Sequence, residues 1–180
     1  MIKELKILRK EILPISLILI LVFSRLIPHP PNFTPVISAA ITAPLLFNSR
    51  LYSIALVVMA MFLADLIIGF HPFQFIIYSI FISISLITPL QKKYSLFALM
   101  TIGASLWFFI ISNFSVWIIW DMYPKTLDGL ITCYTMAIPF FKNTLLSTIL
   151  YTGLILAAFK YLEILKKIIN LYFEKIFNYS

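Results

Sequence analysis

Long apolar runs alternate with short polar punctuation along this chain, and that spacing predicts helices. The runs cover 12–27, 34–47, 51–70, 73–90, 94–120 and 139–159. Most approach the ~20 residues that a helix needs to cross the hydrocarbon core of a bilayer. The second is shorter and contains Pro44. Period-2 alternation with turn clusters, the mark of a membrane barrel, is absent from the sequence. Lipid also leaves an open sheet edge without partners. The expected fold class is an all-α integral membrane protein with six transmembrane helices in a single membrane domain, residues 1–180. Thr126–Ala137 reads as a short separate helix at or dipping into the interface. The tail, 160–180, interleaves lysines with Ile, Leu, Tyr and Phe, the pattern of an amphipathic helix lying on an anionic leaflet.

Composition strengthens this reading. Of 180 residues, 62% are hydrophobic and mean hydropathy is +1.01, against about 45–50% apolar in soluble domains. The N-terminus is basic and then apolar, but no small-residue cleavage site follows, so it reads as an uncleaved first span. If the N-terminus is inside, 11 of the 14 basic residues fall on inner segments, leaving Arg25, Lys125 and Lys142 outside. The positive-inside rule then places both termini in the cytoplasm, which requires an even number of spans. The expected location is the bacterial inner membrane, multi-pass. The single Cys133 excludes an internal disulfide and a cysteine-cage metal site. No GxxxxGK[ST] phosphate loop occurs, so ATP hydrolysis by that route is excluded. No cofactor, resident metal, catalytic residue or nucleic-acid partner is expected; the partners are the lipid bilayer and a small-molecule solute.

On this topology the chemically unusual segments share the outer face. They are Arg25–Pro35 (RLIPHPPNFTP), Gly69–Gln74, and Ser112–Trp117 leading into Trp120–Thr126. Four prolines, Pro28, Pro30, Pro31 and Pro35, stiffen the first of these, and Thr34 is placed to cap the second helix. The candidate solute-binding residues are Arg25, His29, Asn32, Asp65, His71, Asn113, Trp117, Asp121, Tyr123 and Tyr134. Trp117, Trp120, Tyr123 and Tyr134 can stack on a planar ring, Arg25 can grip a carboxylate or phosphate in two-point fashion, and Asn113 can read a ring edge. The competing explanation is an ordinary aromatic belt with solvated histidines. Asp65 is the one acidic residue well inside a span, roughly 9 Å below His71. Intramembrane charge is costly and takes a partner, and Arg25 is the expected one.

Four motifs in order, RxxPHPPNFTP, DLxxGFHP, SNFxVW and YPxTxxGLxxCYxxAIPFFxNTL, span most of the chain. Together they resemble a family of uncharacterised bacterial six-span membrane proteins that is described as similar to the substrate-binding S-components of energy-coupling-factor (ECF) vitamin transporters. The resemblance implies capture of a micronutrient at the outer face. It also implies docking onto an ECF-type transmembrane scaffold with ATPase subunits, through an AxxxA motif. Ala39 and Ala43 stand at that spacing, on the second predicted span.

Other readings remain open. The outer loops could serve a structural or assembly protein of the inner membrane. His29 and His71 with Asp65 or Asp121 could bind a metal in an enzyme, although they carry no fixed ligand spacing. An autonomous carrier would show an internal repeat, and none is evident.

Overall fold

The computed structural model describes residues 12–90 and 94–177, and every regular element among them is helical. In chain order these are α1 (Leu13–Leu26), α2 (Val36–Phe47), α3 (Arg50–Ile68), α4 (Gln74–Ile87), α5 (Tyr94–Ile119) and α6 (Leu127–Phe177). The first five lie within a few residues of the predicted apolar runs. Residues 1–11, 91–93 and 178–180, which hold several of the basic residues used to orient the chain, lie outside the described residues.

α3, α5 and α6 are long and apolar enough to cross a membrane. α1, α2 and α4 have 14, 12 and 14 residues, or roughly 18–21 Å at 1.5 Å per residue, short of the ~30 Å hydrocarbon core. The expected interfacial helix before the sixth run is not a separate element. α6 runs unbroken from Leu127 to Phe177, 51 residues, with Pro139 inside it. Proline removes one helical donor and strains the preceding turn, yet the flanking apolar sequence carries the helix through.

Local signals set the ends. Asn48 adopts the left-handed conformation (φ 52°) where α2 stops, and Ser49 then caps α3 by accepting from the Tyr52 amide at 3.3 Å. α3 ends at Gly69, whose φ of 104° disfavours any side chain. Thr126 Oγ1 accepts from the Gly129 amide at the start of α6. A Cβ at Gly129 would sit 2.0 Å from the Pro124 carbonyl oxygen, so only glycine fits that turn.

α2 is the axis of the bundle. It packs against α3, α4, α5 and α6, and every residue from Val36 to Leu45 is buried. Ala39, Ala40, Ile41 and Ala43 have no exposure at all. Three alanines in five positions let neighbouring backbones approach closely: Ser85 of α4 donates to the Ala40 carbonyl at 3.0 Å, and Ser38 of α2 donates to the Thr148 carbonyl of α6 at 3.1 Å. The small side chains of Ala39 and Ala43 pack inside the chain.

Polarity is distributed inside out. Thr42, Thr88, Thr101, Ser105, Ser115, Thr144 and Thr148 are buried, each bonded to the carbonyl four residues earlier. Large apolar side chains such as Leu19, Ile20, Phe62, Ile67, Leu99 and Leu150 face outward. Small, hydroxyl-rich helix contacts under an apolar exterior suit a bundle solvated by lipid. Ala43→Leu should lower stability by about 1–3 kcal/mol through overpacking, whereas outward Leu99→Ala should stay within about 0.5 kcal/mol. Thermal melting of the detergent-solubilised protein checks both.

Candidate functional site

The segment before α2 has a defined shape. The Phe33 amide donates to the Pro30 carbonyl at 3.0 Å, and Asn32 has φ 63°. Proline at the second position and a left-handed asparagine at the third make a type II turn. The turn is fixed to α6 as well: Asn143 Nδ2 donates to the Pro31 carbonyl at 3.1 Å, Ser147 Oγ to the Asn32 carbonyl at 3.3 Å, and Phe33 meets Tyr151 edge-on. Thr34 does not cap α2, because Pro35 holds the cap position and no side chain bonds there.

Below this turn lies a cavity of about 390 Å³. Its lining comes from the end of α1, the start of α2, the end of α3, the start of α4, the end of α5 and the first half of α6. Six helices thus meet at one end of an up-and-down arrangement. Its walls include Phe73, Phe81, Phe108, Phe109, Phe140 and Phe141. Its polar groups include Arg25, His29, Asn32, Thr34, His71, Ser112, Asn113 and Thr144. An apolar, aromatic wall with a few convergent polar groups is the usual make-up of a small-molecule site.

Five of the ten residues singled out from sequence therefore line one cavity: Arg25, His29, Asn32, His71 and Asn113. Asp65 stands directly behind it. Arg25 Nη1 lies 2.6 Å from Asp65 Oδ1 and 3.2 Å from the Met61 carbonyl, to which it donates. The Tyr78 hydroxyl donates to Asp65 Oδ2. Asp65 has no exposure, and the Arg25 side chain retains 17%. Asp65 Oδ1 lies off the guanidinium N–H direction and so has no linear hydrogen bond; the contact with Arg25 is chiefly ionic. Tyr78 escaped the sequence reading. The signal was there: Asp65 lies one turn before α3 ends and Tyr78 one turn after α4 begins, so the hairpin sets them face to face.

The other four residues sit elsewhere. Trp117 Nε1 donates to the Pro124 carbonyl at 2.9 Å, and the Tyr134 hydroxyl donates to the Ile110 carbonyl at 2.7 Å. Asp121 is exposed, 3.8 Å from Lys125. Lys125 also donates to the carbonyls of Trp117 and Trp120 at the end of α5, where a cation complements the helix dipole. Tyr123 lies in the same α5–α6 link, outside the cavity lining. Ser112–Trp117, expected in an outer link, forms the last turns of α5. Among the described residues no group of three or more His, Cys, Asp or Glu is placed to hold a metal.

The described residues thus form an all-helical bundle with three membrane-length helices and a polar-edged aromatic cavity. The chain belongs to a family of unknown function, DUF6580, whose model matches residues 5–171. No curated protein and no solved structure matches it.

Two expectations follow from the site. Removing one partner of a buried ion pair strands the other and costs about 3–5 kcal/mol. Asp65→Ala should therefore melt far below the parent, and Arg25→Ala/Asp65→Ala should recover part of the loss; additive effects in this double-mutant cycle would rule out coupling. His71 is the second. Burial lowers its pKa from the ordinary value of 6.5, Asp65 opposes the shift and Arg25 adds to it. A base whose pKa falls on folding binds fewer protons folded than unfolded. Its contribution to stability is thus full above about pH 6.5 and declines as pH falls from there towards the lower folded value. His71→Asn should flatten the fall in melting temperature between about pH 7 and 5 relative to the parent.

Proposed function

We propose that this protein is a membrane subunit that captures a small micronutrient-like solute at the outer face of the bacterial inner membrane. Separate energy-supplying subunits of the ECF type would complete the transporter. The observation that carries the reading is the cavity: about 390 Å³, walled by phenylalanines and edged by Arg25, His29, Asn32, His71 and Asn113. The stiff turn beside it adds support. A loop already ordered by Pro30, Pro31 and its bonds to α6 loses little entropy when a solute arrives.

The reading takes all six helices as spans with both termini in the cytoplasm, in keeping with the positive-inside count. α2 is enclosed by protein and need not match the thickness of lipid it does not touch. Its first residue, Val36, lines the cavity.

A reporter fused after Ser180 should read cytoplasmic, and one inserted between Met122 and Lys125 should read external; the reverse would place the cavity on the wrong side. Mass spectrometry of the denatured, purified protein should then detect a released small molecule. Pro30→Gly/Pro31→Gly should weaken retention of that molecule at least several-fold, while costing only about 0.4–1 kcal/mol of stability per site. An assembly protein would release no such molecule.

A further inference from the structure

We infer that the cavity selects an uncharged planar aromatic ring bearing a carbonyl and an N–H on one edge, in preference to an anion of the same shape. This rests on the solute-capture reading above and departs from the two-point anion grip that Arg25 offers on sequence grounds alone.

Among the described residues that line the cavity, Arg25 is the one Lys, Arg, Asp or Glu. Its charge is already matched by Asp65, 2.6 Å away and fully buried behind it. What faces the cavity is the positive end of an ion pair rather than an isolated cation. A carboxylate entering here must shed its water, and Asp65 offsets much of the attraction of Arg25, so desolvation goes largely uncompensated. A cation in the cavity is repelled by Arg25. A neutral carbonyl sheds far less hydration and still finds a charge-assisted donor.

Donors and acceptors agree with this. Nη1 of Arg25 carries the contacts to Asp65 and to Met61, and a guanidinium has further N–H donors on Nε and Nη2. Asn113 Nδ2 donates to the Phe109 carbonyl at 2.7 Å, which leaves its Oδ1 as an acceptor. His29 Nδ1–H donates to the Pro30 carbonyl at 2.8 Å, so Nε2 of the neutral ring is an acceptor too. Donors at Arg25 with acceptors at Asn113 and His29 complement a C=O and an N–H of an amide or lactam type. The six phenylalanines offer ring faces and edges to a flat aromatic body. Tyr78, through its bond to Asp65, is a positioning residue: it holds the carboxylate that restrains Arg25.

The test is calorimetric titration of the full chain in detergent with three probes of one shape: naphthamide, naphthoate and naphthylmethylammonium. Naphthamide should bind at least about tenfold tighter than naphthoate, a difference of ~1.4 kcal/mol, with the ammonium weakest. Asp65→Asn exposes the Arg25 charge and should reverse the order of amide and carboxylate. Tyr78→Phe keeps both charges and should retain the amide preference while weakening naphthamide. If Asp65→Asn does not fold, the ranking in the parent protein decides alone. Naphthoate binding as tightly as naphthamide or tighter overturns the selectivity and leaves solute capture standing. Binding by none of the three, with no small molecule released on denaturation, overturns solute capture itself.

Discussion

A carboxylate with no exposure must be answered from within the protein, and Asp65 is answered from two other helices. Arg25 comes from the end of α1 and Tyr78 from the start of α4. The contact therefore fixes the relative height of α1, α3 and α4 where the cavity opens. In a low-dielectric setting a displacement of any one of them leaves a charge or an acceptor unmatched. Apolar contacts alone tolerate sliding by small amounts. This cluster does not, and it gives the cavity a defined floor and a defined set of donors.

The rest of the bundle shows how an apolar chain keeps its helices in register without a water-driven core. Hydroxyl side chains inside bond back to their own helix or across to a neighbour, and alanines on α2 bring backbones together. α2 is consequently short, central and stripped of bulk. Because it starts late, the loop that precedes it has room to fold into a turn over the space above. Close packing at one level and open volume at the next are two results of the same short helix.

The sequence carried the helices well and the cavity in part. Apolar runs bounded by Pro, Gly and Asn locate α1 to α5, because those residues act locally. The separate short helix expected at Thr126–Ala137 is part of α6, which continues through Pro139. Thr34 misled because the proline that follows it occupies the cap. Arg25, His29, Asn32, His71 and Asn113 stood out as polar residues in apolar surroundings, and they converge. The aromatic choice went to Trp117, Tyr123 and Tyr134 when phenylalanines form the wall. Trp117 and Tyr134 use their polar groups to bond carbonyls elsewhere. Phenylalanine has no such group, so it is free to line a cavity and is indistinguishable in sequence from any other apolar residue.

The turn above the cavity belongs mechanically to α6. Asn143, Ser147 and Tyr151 grip it along three successive turns of that helix, while Phe140, Phe141 and Thr144 form part of the cavity wall from the same stretch. The helix continues unbroken to Phe177, so its 51 residues measure roughly 77 Å along the axis. Wall and roof are mounted on one long shaft. A rigid tilt of α6 would therefore carry wall and roof together rather than part them.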